Sequence, residues 1–282
     1  MLNHKEIKTI LKENNISILK KFGQNFLISQ DILNKIIETA DINPQDTIIE
    51  IGPGLGGLTF ELAKKAKKII AIEKDIKMAE ILKKSLVKKN ILNVEIINED
   101  ALHPTPLLGA EGWGGGEYKL VANLPYNIAT AVIMKFLTTE NPPKKIVVMV
   151  QKEVAQRIIA SPPKTNKLAI FCQIYSTPKI IEIVPPTAFY PKPKIDSAIL
   201  ELIPHCRYQI PTILTNLINA GFSHPRKTLL NNLYEGRPNI ASKERVIEWL
   251  EANNINPTQR PETLSIHNWI ALAKTLKTFH NN

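Results

Sequence analysis

The sequence predicts an α/β protein with a mainly parallel sheet and a small all-helical domain after it, and three observations carry that prediction. Short β-branched runs alternate with amphipathic segments between Thr47 and Val150, the rhythm of successive βαβ units. A glycine-rich turn, Gly52-Pro53-Gly54-Leu55-Gly56-Gly57, joins the first such run to the helical pattern behind it. Beyond about Pro204 the strand signal stops and only helical periodicity remains.

Thr47–Ile51, Ile69–Glu73, Val94–Asn98, Leu120–Ala122 and Ile146–Val150 read as strands. They are short and largely apolar, as strands covered on both faces are. Helical patterns lie near residues 57–67, 76–89 and 129–138. Ala169–Tyr175 and Ser197–Leu202 read as two further strands, separated by the proline-rich stretch 184–194. With no helix evident between them, an antiparallel pair at the sheet edge is expected. Ile213–Gly221, Thr228–Tyr234, Lys243–Asn253 and Thr263–Phe279 carry helical spacing. The division expected is therefore 1–204 for the α/β domain and 205–282 for the helical one. Gly109–Gly116, rich in glycine, reads as a surface loop.

A formal net charge of +10 over 282 residues favours a polyanionic partner. Lysines scattered over helix faces are equally compatible with a solvated surface. No apolar run approaches a membrane span. The segment Met1-Leu2-Asn3-His4-Lys5-Glu6 has no apolar targeting core. Cys172 and Cys206 are isolated, with no metal-ligand spacing around them. Reduced thiols, a cytoplasmic location, no metal and no membrane partner are expected.

Candidate chemistry gathers at strand ends. Asn123-Leu124-Pro125-Tyr126 follows the fourth strand. Pro125 cannot continue a ladder, and it pushes Leu124 toward an extended conformation with its carbonyl available to a ligand. An amide oxygen, a carbonyl and a flat ring suit an amino group on a heterocycle, although such a tetrapeptide also serves as a tight turn. Gly52, Gly54 and Gly57 satisfy G-x-G-x-x-G, so a dinucleotide is one reading of the first turn. Glu50 just before it disfavours a pyrophosphate and suits a cationic amino-acid moiety. Glu73 ends the second strand, where a carboxylate suits a ribose diol, and Asp100 follows the third, where it suits an adenine amine. Phe189-Tyr190-Pro191-Lys192-Pro193-Lys194-Ile195-Asp196-Ser197 offers a stiff aromatic surface on which a base stacks, or else an edge loop with one buried Phe.

Taken in order, these motifs resemble the rRNA adenine N6,N6-dimethyltransferase family. Lys21-Phe22-Gly23-Gln24-Asn25-Phe26-Leu27 is similar to the family's N-terminal motif and Glu50–Gly54 to its glycine loop. Ile72-Glu73, Glu99-Asp100-Ala101, Asn123–Tyr126, Val150–Val154 and Phe189–Ser197 are similar to those that follow. The resemblance implies a Rossmann-like S-adenosylmethionine-dependent methyltransferase fold, a seven-stranded sheet with its last strand antiparallel and a helical RNA-recognition domain behind it. It implies cofactor binding by Asn25, Leu27, Gly52, Glu73, Asp100 and Asn123, and catalysis by Asn123, Leu124, Tyr126 and Phe189. The implied reaction is N6,N6-dimethylation of two adjacent adenosines in the 3′-terminal hairpin loop of 16S rRNA, by a monomer acting on the small ribosomal subunit precursor.

Thr165-Asn166-Lys167-Leu168 departs from the family's Tyr-Gly-Arg-Leu-like stretch, and Gly109–Gly116 reads as an insertion. Rival readings are a large-subunit rRNA methyltransferase of the macrolide-resistance type and a non-catalytic ribosome-assembly factor. His224–Leu233, a basic helix like that of the small-subunit enzymes, favours the first reading. A nicotinamide dehydrogenase would need a hydride-transfer partner residue that the strand ends do not offer.

Overall fold

The computed structural model describes residues 2–14, 16, 25–102, 117–205, 212–224, 226–236 and 242–280. Lys20–Gln24 of the N-terminal motif, the Gly109–Gly116 loop, Cys206 and Pro225 lie outside the described residues. The chain divides into two compact units, one formed by 1–155 with 177–204 and the other by 156–176 with 205–282.

The first unit begins with α1 (His4–Glu13), the two-residue strand β1 (Phe26–Leu27) and α2 (Gln30–Ala40). A capping box starts α1: Glu6 N donates to Asn3 Oδ1 and Asn3 N to Glu6 Oε2, at 3.0 and 2.7 Å. The central elements are β2 (Thr47–Ile51), α3 (Thr59–Ala63), β3 (Lys68–Ile72), α4 (Ile76–Lys88), β4 (Val94–Ile97), β5 (Tyr118–Asn123), α5 (Ala129–Leu137) and β6 (Lys145–Gln151). These strands pair in parallel, in the sequence β4-β3-β2-β5-β6. Strands β2, β3, β5 and β6 are buried along most of their length, which explains why their sequences show no alternation.

After β6 the helix α6 (Lys152–Ile158) runs across the division between the units, and α7 (Lys167–Tyr175) belongs to the second. The chain then forms β7 (Ser176–Val184), β8 (Phe189–Tyr190) and β9 (Ser197–Pro204). Strand β9 enters antiparallel to β6, and β7 closes the edge, giving the seven-stranded order β4-β3-β2-β5-β6-β9-β7. Strand β8 pairs instead with β1, Phe26 opposite Tyr190 and Leu27 opposite Phe189.

Three sequence expectations differ from the fold. Ala169–Tyr175 is not a strand but most of α7, and the strand starts one residue later, at Ser176. Short apolar runs have no period that separates strand from buried helix; Asn166 decides the matter by accepting from Ala169 N at 3.0 Å as an N-cap. The helical pattern expected over 57–67 is a single short helix, because the glycine turn extends to Gly57. The chain also passes between units at 155/156 and 176/177 as well as at 204/205, where the sequence reading drew one passage. Ile170 and Ile174 of α7 explain this, since they are buried in the core cluster of the second unit.

On one face of the sheet, Ile48, Ile69, Val121, Val147 and Ile199 pack with Ile36 of α2 and Leu62 of α3. The second unit is built from α7 with α8 (Thr212–Gly221), α9 (Leu229–Glu235), α10 (Lys243–Ala252) and α11 (Ile266–His280). Trp249 and Trp269 are fully buried there, and Trp249 Nε1 donates to Thr275 Oγ1 at 2.9 Å. No described helix is long and apolar enough to cross a membrane.

The N-terminal ends of the strands are closed by paired charges. Lys119, second residue of β5 and only 7% exposed, sits 2.8 Å from Asp46 and also donates to the Asp41 carbonyl. Lys145, first in β6, lies 3.3 Å from Glu201 and donates to Thr39 O at 3.1 Å.

Candidate functional site

The C-terminal ends of the same strands surround a cavity of about 220 Å³. Helical crossovers leave β2 and β5 toward opposite edges of the sheet, and a crevice opens at such a switch point. Of the sequence-predicted residues, Asn25, Leu27, Gly52, Glu73, Asp100, Asn123, Leu124 and Tyr126 line it.

After β2 the chain must turn sharply into α3. Gly52 and Gly54 do so with φ of +67° and +55°, the left-handed region that glycine enters without a steric cost. A Cβ on Gly54 would also stand 3.2 Å from the Phe26 ring. The loop is tied to the second strand end: Glu73 Oε2 accepts from Gly54 N at 3.0 Å and Oε1 from Asp75 N at 2.9 Å. Burial pushes the Glu73 carboxyl up, against the pull of these backbone donors. A carboxylate has about four acceptor sites, so Glu73 retains capacity for a ligand.

Glu50 is the most costly group in the site. It is 1% exposed, and its Oε2 has no hydrogen-bond partner among the described residues. Burial pushes its carboxyl up to about 8, the neighbouring Glu73 adds to the rise, and the Thr59 hydroxyl opposes it. A buried carboxylate without a partner costs several kcal/mol unless neutralised or joined by a cation. Because Glu50 lines the cavity, a ligand's ammonium there would provide what the fold does not.

Asp100 is held by Lys74 at 2.6 Å and accepts from Leu102 N at 3.0 Å. Asn123 Nδ2 donates to Asn25 O at 3.0 Å, fastening the β5 end to the segment before β1. Leu124 is 1% exposed and its N–H donates to Met149 O at 3.2 Å. Tyr126 shares a 2.7 Å hydrogen bond with Ser197, first residue of β9 and fully buried. Burial raises the Tyr126 hydroxyl, with the Ser197 bond working against it.

Phe189 is not brought to the cavity. It is 3% exposed and sits in the core cluster with Leu27, Ala188 and Ile199. Its neighbour Tyr190 meets His4 edge-on, with ring centroids 4.2 Å apart. The sequence reading missed Leu2 and Ile7, which line the cavity from α1 and the residue before its cap. The Asn3–Glu6 spacing of the capping box was the available signal for that helix. Ser197 was inside a quoted motif, but only the folded register puts its hydroxyl against Tyr126.

The residues fit the expected cofactor on two observations: an orphaned buried carboxylate where a cationic amino-acid group would lie, and carboxylates at the two neighbouring strand ends. The family model described as ribosomal RNA adenine dimethylase matches residues 15–275. A ribosomal RNA small subunit methyltransferase A from Alkaliphilus metalliredigens is 41% identical over 274 residues, covering 95% of this chain and 94% of the relative. A protein of the same name from Dehalococcoides mccartyi is 41% identical, covering 94% and 90%. Among solved structures, a dimethyladenosine transferase from Plasmodium falciparum aligns with a TM-score of 0.75 at 27% identity, over 89% of this chain and 98% of that one. The 23S rRNA methyltransferase ErmE, at 23% identity and a TM-score of 0.69, covering 90% of this chain and 100% of its own, shares the fold.

Proposed function

The chain belongs to the ribosomal RNA adenine dimethylase family, and on that premise we propose that it uses S-adenosylmethionine to dimethylate N6 of two adjacent adenosines in the 3′-terminal hairpin loop of 16S rRNA. The observation that carries the reading is the convergence of Gly52, Glu73, Asp100 and Asn123 on one cavity from successive strand ends. The names of the relatives, small-subunit methyltransferases at about 40% identity, favour the small-subunit RNA over the large.

In this reading Glu50 and Gly52 hold the amino-acid end of the cofactor, Glu73 its ribose hydroxyls and Asp100 its adenine amine, with Asn25 and Leu27 covering it. When bound, S-adenosylmethionine supplies a methyl group already activated on a sulfonium. The protein's task is then chiefly positioning. Adenine N6 is a poor nucleophile because its lone pair is delocalised into the ring. Asn123 Nδ2 is committed to Asn25 O, so Oδ1 is the atom left to accept from N6–H, with the Leu124 carbonyl as second acceptor. Two such bonds fix the amine and favour a pyramidal nitrogen. No general base is required, since the proton departs to solvent after transfer.

Tyr126 supports one face of the target ring. A second aromatic clamp from Phe189 requires that side chain to leave its packing against Leu27 and Ile199. Unstacking the base costs a few kcal/mol in a duplex and less in a loop, which favours a hairpin-loop target. Incubation of both ribosomal RNAs with methyl-labelled cofactor, followed by primer extension, tests the assignment. Stops at adjacent adenosines of the small-subunit RNA are expected; label confined to the large-subunit RNA would overturn it.

A further inference from the structure

A second charged surface lies at the other end of the sheet. The segment Glu61–Glu95 holds ten lysines against five carboxylates, half of the chain's net charge of +10. Glu73 and Asp75 are buried, Glu61 and Glu95 are already paired with Lys64 and Lys68, at 2.8 and 2.7 Å, and Glu80 of α4 is exposed among the lysines. With Lys74 held by Asp100, that leaves Lys77 in the first turn of α4 and, further along, Lys65, Lys67, Lys83, Lys84, Lys88 and Lys89 exposed and without an ion pair among the described residues.

The fold ties the end of α3, with Lys65 and Lys67 just beyond it, to the C-terminal end of α4, which carries Lys83, Lys84 and Lys88, with Lys89 next. Asn93 Nδ2 donates to Ala63 O and Ala66 O, at 2.9 and 3.0 Å, pinning the turn after α4 to the end of α3. Phe60 of α3 packs with Leu82 and Leu86 of α4, and Lys89 Nζ lies 5.2 Å from the Phe60 ring centroid. The two lysine groups therefore share one rigid ridge. Lysines in the last turn of α4 complement its dipole, which accounts for Lys88. Lys84 lies four residues after Glu80 and four before Lys88, so its favourable and unfavourable pairings along the helix offset and give it no net reason in helix stability. Val87 and Leu92, at 75% and 87% exposure, stand among the cations. Strand β3 separates this ridge from the cavity by about 16 Å, at about 3.3 Å per residue.

We propose that this ridge binds the sugar–phosphate backbone of a double-helical segment of the substrate RNA, separate from the loop that presents the target adenosines. Lysines spaced along a ridge match a row of phosphates, and the apolar side chains between them match ribose edges. A contact made chiefly by lysines to phosphates positions the RNA and carries no base reading. It anchors a structured RNA rather than selecting a sequence. The proposal rests on the reading of the substrate as ribosomal RNA.

The test is full-length chain carrying Lys83→Gln, Lys84→Gln, Lys88→Gln and Lys89→Gln, titrated with small-subunit rRNA across a series of KCl concentrations. A control chain carries Lys5→Gln, Lys12→Gln, Lys179→Gln and Lys274→Gln. The ridge variant is expected to bind about 10-fold or more weaker at low salt, with the slope of log affinity against log salt reduced by about 2 or more. Methylation of a short synthetic hairpin, which is too small to reach the ridge, is expected to remain unchanged. An unchanged slope, or an equal reduction in the control, would overturn the proposal and make the lysines ordinary solvated surface. Failure of the unmutated chain to methylate small-subunit precursor particles would instead sink the functional reading, whatever the slopes.

Discussion

The two ends of the parallel strands treat buried charge in opposite ways. At the N-terminal end, Lys119 is matched by Asp46 and the Asp41 carbonyl, and Lys145 by Glu201 and Thr39 O. Every cation brought inward there meets an acceptor. At the C-terminal end, Glu50 is buried with an oxygen unmatched, and Gly52 and Gly54 adopt left-handed conformations. The first end is completed by the fold alone. The second is left incomplete in the manner of a site that a ligand completes, and it loses stability by being so.

The sharpest way to break this contrast is at the closed end. Lys119→Met strands Asp46 and the Asp41 carbonyl, and removing one partner of a buried pair is expected to cost about 3 kcal/mol of unfolding free energy in urea. Transfer per folded molecule should stay as before. A large loss of transfer with unchanged stability would mean that the two ends are not separate in function.

At the open end, Glu73→Ala removes the acceptor of both Gly54 N and Asp75 N. Two ribose hydroxyls donating to its carboxylate would be worth about 3 kcal/mol together, so calorimetric S-adenosylmethionine affinity should also fall about 100-fold. Unaltered affinity would remove Glu73 from the cofactor site.

Glu50 provides a test by pH. Its folded carboxyl is raised to about 8 from an ordinary value of 4.5. Between those values the folded state binds more protons than the unfolded, so Glu50's contribution to stability is complete below about pH 4.5 and is lost as pH rises through about 8. Without ligand, Tm should decline across that range. Glu50→Gln should flatten the decline, raising Tm at pH 8 by roughly 5 °C, while weakening cofactor binding. A parallel pH profile in the variant would show that Glu50 is not the group responsible.

The smallest effect is expected from Ser197→Ala, which deprives the Tyr126 hydroxyl of its partner. About 1 kcal/mol of stability should be lost, with a modest fall in kcat for methyl transfer and little change in cofactor affinity. Loss of cofactor binding instead would place Ser197 in the cofactor site rather than behind Tyr126.

The parallel sheet was legible because β2, β3, β5 and β6 are buried on both faces, and burial of that kind writes itself as unbroken β-branched runs. Strand ends were legible for the same reason: Glu73, Asn98 (two residues before Asp100) and Asn123 each end an apolar run. Helix α7 was not, because Ala169–Tyr175 is too short and too apolar for its period to declare itself, and an asparagine cap settled it. Phe189 shows another limit. Sequence identifies a stiff aromatic segment, but whether either ring faces the cavity depends on pairing with β1, a contact across more than 160 residues, and neither does. Glu50 was noticed as an acid beside the glycine turn; its missing partner is visible only in the folded chain.

At the open end of the sheet, Asn123 is proposed to hold the target amine. Nucleoside mass spectrometry of small-subunit rRNA, reacted with S-adenosylmethionine and either the unmutated chain or Asn123→Ala, tests it most directly. N6,N6-dimethyladenosine is expected with the unmutated chain and none with the variant, while RNA affinity agrees within a few-fold. Dimethyladenosine formed at comparable yield by Asn123→Ala would contradict it.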